Sequence, residues 1–100
     1  MPVVVDPEGI AISILLNLAH FSAKRVLEIG CGDGRITMGY AGRTQHVTAI
    51  DPDAEDIGSA HKNKPAHLAD RVSFIESSIE DFNQPLDSEK FDIILYTYSL

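Results

Sequence analysis

Cysteine and basic residues are scarce in this sequence, and its apolar runs are short. Cys31 is the only cysteine, so no disulfide can close within the chain and a reducing compartment is the default. Lysine and arginine number 8 against 15 aspartates and glutamates, a net charge of −7. Phosphate backbones are gripped by basic faces, so direct nucleic-acid binding by this segment is not expected from its charge balance. A nucleic acid stays open as the substrate of a larger protein whose other part supplies the basic surface. The apolar stretch from Ile10 to Leu18 is interrupted by Asn17 and falls far short of the roughly 20 residues that cross a bilayer. It follows Asp6 and Glu8 rather than a basic segment, which argues against a secretory signal. The expectation is a cytoplasmic protein with no membrane contact. Repeats and low-complexity segments are also lacking.

What is present is a chain of 100 residues, 44% of them hydrophobic, enough for one small domain with a modest core. Asp6 and Pro7 open a run in which Ile10, Ile14, Leu15 and Leu18 recur at helical spacing, so a helix is expected near residues 7 to 20. Val26 to Ile29 reads as a strand ending at Gly30. Arg35 to Ala41 reads as a helix that stops near Gly42. His46 to Ile50 is a second strand, ending on Asp51. A polar helix follows from about Asp53 to His61, with Pro65 set against its extension toward Leu68. Val72 to Ile75 is a third strand and Phe91 to Tyr98 a fourth, apolar through its middle as a strand covered on both faces should be.

This alternation predicts an α/β fold, a parallel sheet flanked by helices. The connection from Ser78 to Lys90 can span about 14 Å, three strand spacings, so the fourth strand is able to lie on the far side of the first. Such a reversal opens a crevice at the carboxyl ends of the central strands, where α/β sheets bind ligands.

The segment Glu28-Ile29-Gly30-Cys31-Gly32-Asp33-Gly34-Arg35 carries the chemistry. Glycines let the chain turn sharply after the strand and let its backbone approach a ligand. A dinucleotide fingerprint would place its third glycine at position 35, which is arginine here, and no Gly-Lys-Ser/Thr follows for a P-loop. Asp51, about 20 residues beyond the loop at the end of the second strand, can accept from both hydroxyls of an adenosine ribose. Cys31 reads as a small buried residue in a tight loop rather than a nucleophile. His20, His46, His61 and His67 show no metal-ligand spacing with one another or with Cys31, so no metal is expected.

From about Ala23 to Leu100 the chain resembles the class I, Rossmann-like methyltransferases that use S-adenosylmethionine. Val26 to Gly34 looks like their motif I, Ala49-Ile50-Asp51-Pro52 like their second acidic motif, and Phe91 to Leu95 like their fourth-strand motif. The resemblance implies S-adenosyl-L-methionine as cofactor and gives roles to twelve positions. Gly30, Cys31, Gly32 and Gly34 belong to the loop around the methionine portion and ribose, with Glu28 orienting that portion through water. Asp51 would hold the ribose, and Pro52 would pack on the adenine. The family often has an acidic residue after the third strand to receive the adenine amino group. Ser78 stands there, followed by Ile79 and Glu80, so Ser78, the Ile79 backbone or Glu80 is left for that contact. Tyr96 and Thr97 would face the reacting end. The methyl acceptor and the catalytic base are not readable.

The family sheet continues beyond a fourth strand, so residues 1–100 read as the incomplete N-terminal part of one such domain, truncated after that strand. A fourth strand with a bare outer edge would invite self-association. An NAD-binding domain and a non-catalytic interaction module that keeps the fold are the alternatives.

Overall fold

The four expected strands are found, with one addition. The computed structural model describes the backbone of Val3–Val5 and the whole of residues 24–82 and 90–97. Five strands form one sheet: β1 (Val3–Val5), β2 (Arg25–Ile29), β3 (His46–Asp51), β4 (Val72–Glu76) and β5 (Ile93–Tyr96). Their order is β1-β5-β2-β3-β4, and every pairing is parallel. The last strand therefore crosses to the far side of β2, and the reversal lies between β2 and β5. The helix expected over residues 7 to 20 lies outside the described residues, as does the end of the fourth strand at Tyr98. Among the described residues no helix is long and apolar enough to cross a membrane.

Two helices return the chain between the central strands. The first, α1 (Arg35–Tyr40), passes into a 3-10 turn at Ala41–Arg43. The second, α2 (Ala54–Asn63), is capped by Asp53, whose carboxylate accepts from Glu55 N at 2.9 Å and Asp56 N at 3.1 Å. It stops at Asn63 because Lys64 precedes Pro65 and is extended, with φ −66° and ψ 121°, as the residue before a proline prefers. A 3-10 turn at Ala66–Leu68 leads into β4.

Successive strand residues point to opposite faces, and the apolar side chains sort accordingly. Val26, Val47, Phe74 and Ile93 pack with Tyr40 of α1 and with Ile57 and Ala60 of α2. On the other face Leu27, Ile29, Ile50 and Ile94 pack with Phe91, joined by half-buried Ile79 and Phe82. Because both faces of β2 are covered, Val26 and Leu27 are alike fully buried.

The outer edge of the fourth predicted strand is not bare. Val3, Val4 and Val5 pair with Ile93, Ile94 and Leu95 of β5, so the ladder groups expected to recruit another chain are used within this one. The argument for self-association through that edge falls with it.

At the opposite ends of the strands, Asp92 locks β5 to β2. Its carboxylate accepts from Arg25 Nε at 3.1 Å, Arg25 Nη2 at 3.0 Å and Arg25 N at 2.9 Å, while Asp92 N donates to Arg25 O at 2.8 Å. The Arg25 guanidinium and backbone N–H hold this carboxyl down to about 2, from an ordinary value of 3.8. The folded state thus binds this proton less readily than the unfolded chain. Its contribution to stability is complete above the ordinary value and is lost as pH falls toward about 2. Asp92→Asn should therefore shrink the stability lost between pH 5 and pH 2.5 in urea titrations. An acid limb identical to that of the parent protein would overturn this assignment.

Candidate functional site

Three strands end together at the carboxyl side of the sheet, with Ile29, Ile50 and Ile75 side by side in the ladder. From Ile29 the chain enters the glycine loop, where Gly30, Gly32 and Gly34 have φ of 82°, 58° and 82°. L side chains avoid this left-handed region. The loop is anchored at both ends: Gly30 N and Cys31 N donate to Ile50 O at 2.9 and 3.1 Å, and Gly34 N donates to Cys31 O at 3.0 Å.

The glycines divide the work. A Cβ on Gly32 would meet only Asp56 Oδ2, at 3.9 Å, so its backbone is open to approach. A Cβ on Gly34 would lie 2.7 Å from Phe74 Cζ and 3.2 Å from Met38 Cε. Gly34 serves the packing of α1 onto the sheet, a role its spacing in the sequence does not distinguish from ligand contact.

Asp51 is the hub of the loop's outer side. Its Oδ2 accepts from Gly32 N at 3.0 Å and its Oδ1 from Asp53 N at 2.9 Å. Asp33, Asp53, Glu55 and Asp56 stand near it. Partial burial, reinforced by Asp53, Asp51, Asp33 and Glu55 in turn, raises the Asp56 carboxyl above its ordinary value. The side of the loop facing α2 is thus strongly negative. None of the described residues groups as a metal site.

Beside Asp51 lies a crevice of about 150 Å³ between the ends of β2, β3 and β4. Ile29, Ile50, Pro52 and Ile79 give it apolar walls, and Gly30, Ser77, Ser78 and Glu80 complete it. The Ser78 hydroxyl already donates to Asp81 Oδ2 at 3.1 Å and accepts from Asp81 N at 3.2 Å. Gly30, Pro52, Ser78 and Ile79 are therefore brought together, with Asp51 and Gly32 adjoining. Half-buried Tyr96 packs with the apolar cluster of Leu27, Ile29 and Ile94 and does not line the crevice. Ile29, Ile50 and Ser77 are lining residues that sequence reasoning missed, two of them because buried strand isoleucines look like any core.

Glu28 lies behind the loop and is fully buried. Its Oε1 accepts from Tyr40 Oη at 2.6 Å and Thr37 Oγ1 at 2.8 Å, and its Oε2 accepts from Thr97 Oγ1 at 2.7 Å. Thr97 Oγ1 is also 3.1 Å from Gly30 O. Both carboxylate oxygens are thus occupied by protein hydroxyls, with no exposed surface for the water contact expected from sequence. Burial raises the Glu28 carboxyl above its ordinary value although all three donors oppose this. Burial, then the charge of Glu28, holds the Tyr40 phenol well above its ordinary value, so it stays a donor. Thr37 and Tyr40, three apart on one helix face, were the available signal for this network. Cys31 is buried, and burial followed by the charges of Glu28 and Asp51 pushes its thiol up, which suits a packing role.

Known proteins resemble this chain in sequence and fold. The methyltransferase-domain family model matches residues 20–100. A tRNA1(Val) (adenine(37)-N6)-methyltransferase of Shewanella baltica is 38% identical over 79 residues, covering 74% of this chain and 32% of its own length. A ubiquinone biosynthesis O-methyltransferase of Glaesserella parasuis is 37% identical over 104 residues, covering 89% of this chain and 43% of its own length. The chain thus spans less than half the length of these curated relatives. Among solved structures, the N-methyltransferase NodS of Bradyrhizobium japonicum in complex with S-adenosyl-L-homocysteine is 28% identical with a TM-score of 0.65, covering 81% of this chain and 39% of NodS.

Proposed function

The chain belongs to the class I, Rossmann-like methyltransferase family, and from that membership we propose that residues 1–100 form the N-terminal, cofactor-binding part of an S-adenosylmethionine-dependent methyltransferase. The observation that carries this reading is the Asp51 carboxylate, fixed between the open backbone of Gly32 and the apolar crevice. A carboxylate has about four acceptor positions. Two are used by Gly32 N and Asp53 N, which leaves capacity for both hydroxyls of a ribose. The crevice beside it suits a flat heterocycle, held between Ile29, Ile50, Pro52 and Ile79, with Ser78, the Ile79 backbone and Glu80 at its polar edge. NodS, solved with S-adenosyl-L-homocysteine, supports the same cofactor class here.

S-adenosylmethionine, when bound, supplies a methyl group on a positively charged sulfur for in-line displacement by an acceptor. The chain's own residues position and hold it. Gly30 and Gly32 admit the methionine portion against the loop that contains Cys31, and the carboxylates near Asp51 favour a cationic ligand. Gly34 keeps α1 close behind. Glu28 acts at one remove, fixing the Thr97 hydroxyl beside the Gly30 carbonyl. Tyr96, at the exit of β5, would face the reacting end. The two curated relatives are named for different work, N6-methylation of adenine 37 in tRNA1(Val) and O-methylation in ubiquinone biosynthesis. Their common segment therefore fits cofactor handling, and the acceptor is chosen elsewhere.

Calorimetric titration with S-adenosylhomocysteine tests this, with NAD and Asp51→Ala beside it. Saturable binding is expected, weakened about 100-fold by Asp51→Ala, since charge-assisted hydrogen bonds contribute about 1.5–3 kcal/mol each. Circular dichroism establishes that the variant is folded. Unchanged affinity in a folded Asp51→Ala protein, or tighter binding of NAD, would refute the assignment.

A further inference from the structure

The two ends of the sheet carry opposite charge. Parallel strands all begin at one end, and the basic residues precede them. Lys24 and Arg25 stand at the start of β2, Arg43 before β3, Arg71 before β4 and Lys90 before β5. The returning helix α2 delivers Lys62, with Lys64 just beyond, to the same end. Of the 8 lysines and arginines in the sequence, only Arg35 lies at the crevice end. The acidic residues at the basic end, among those described, are Asp70 and the Asp92 already bound to Arg25.

Hydrogen bonds tie these cations into one surface. Gln45 N donates to Lys24 O, Val47 N to Arg71 O and Asp92 N to Arg25 O. The Arg71 guanidinium donates to Thr44 O, and Lys64 Nζ donates to Val72 O at 3.0 Å. The last two are contacts to neutral carbonyls, so those charges are held in place without being neutralised. The row advances by about 4.8 Å per strand, giving about 14 Å from β5 to β4.

We propose that this basic end face is a docking surface for the phosphate backbone of a nucleic acid. Protein interfaces of useful affinity are built on a buried apolar or aromatic centre. Among the described residues at this end the exposed apolar ones are Ala66 and Ala69, and the neighbours are polar, Gln45 and Asn63 among them. Phosphates ask only for cations and N–H donors. The net charge of −7 concealed this face because most of the described carboxylates lie toward the other end. The docked strand lies about 17 Å, the length of β2, from the crevice. It is a handhold, distinct from the site of methyl transfer, and does not depend on the cofactor assignment.

Fluorescence anisotropy with a labelled single-stranded RNA and its DNA equivalent tests the proposal. The comparison is the parent protein against the triple variant Lys24→Glu, Lys62→Glu, Lys90→Glu, with polyglutamate as competitor. All three lysines are exposed, and circular dichroism with thermal melting verifies the fold of the variant. Binding in low salt should weaken at least about tenfold in the variant, and the slope of log affinity against log salt should lose about 2, near 0.7 per contact removed. Arg35→Gln, at the other end, should bind like the parent. RNA favoured over DNA, or equal binding, would each fit and would identify the source of the phosphates. Absence of salt-dependent binding, equal binding by the triple variant, or displacement by polyglutamate at matched charge would overturn it, the last in favour of an acidic protein.

Discussion

Glu28→Ala is expected to cost about 4 kcal/mol of folding stability, while Glu28→Gln costs less than about 1.5 kcal/mol. The alanine leaves three buried hydroxyls, on Thr37, Tyr40 and Thr97, without their acceptor and opens a cavity among them. The glutamine keeps the volume and can keep every bond. Its carbonyl takes the place of Oε1 for Tyr40 and Thr37. Its amide donates to Thr97 Oγ1, whose own proton then turns to Gly30 O, already 3.1 Å away. Urea denaturation measures both. The pH dependence adds a second readout. Burial raises the folded carboxyl above its ordinary value, so the folded state holds the proton more tightly than the unfolded chain. Stability from this group is full below the ordinary glutamate pKa and declines as pH rises toward the folded one, opposite in sign to Asp92. Glu28→Gln should abolish that decline. If glutamine proves as damaging as alanine, the hydroxyl network is not what Glu28 provides.

Gly34→Ala should cost about 3 kcal/mol, for two separable reasons. A φ of 82° is unfavourable for an L residue by roughly 1–2 kcal/mol. The new methyl would also overlap Phe74, with Cζ at 2.7 Å and Cε1 at 2.8 Å, and overpacking of this kind costs about 1–3 kcal/mol. Pairing Gly34→Ala with Phe74→Leu should remove the second component and leave the first, a coupling of about 1–2 kcal/mol in a double-mutant cycle. Gly42→Ala is the contrast: nothing lies within 4 Å of its added Cβ, so thermal melting should change little. Additive effects of the two substitutions at 34 and 74 would remove the steric explanation.

What could be read from the sequence was what is local. The glycine loop, Asp51 at the strand exit, the helix start near Asp53 and the break at Pro65 are each set by a few neighbouring residues, and the structure places them accordingly. The length of the connection permitted the last strand to cross β2, and it does so. Three things were hidden. Val3 to Val5 has no alternation or bounding turn to mark it, and becomes a strand only because β5 offers an edge. Thr97 meets Glu28 from 69 positions away, which no motif window spans. The basic face exists because parallel strands line up their beginnings, turning an alternation along the chain into a separation in space. Composition adds charges and has no access to that geometry.

The pairing of β1 with β5 also bears on how the molecule is made. β2, β3 and β4 can assemble in sequence, each joined to its neighbour by one helical crossover. β5 must then bridge 67 positions to meet Arg25, and β1 must wait for β5, since nothing else in the sheet offers it a partner. During synthesis Val3–Val5 therefore emerges well before β5 and stays without its sheet partner until β5 has followed. Contacts so distant in sequence slow folding, because the chain between them must be ordered before they are gained. Throughout that wait a run of three valines is exposed to chaperones and to other nascent chains, so errors in biogenesis would concentrate at the first strand rather than at the glycine loop.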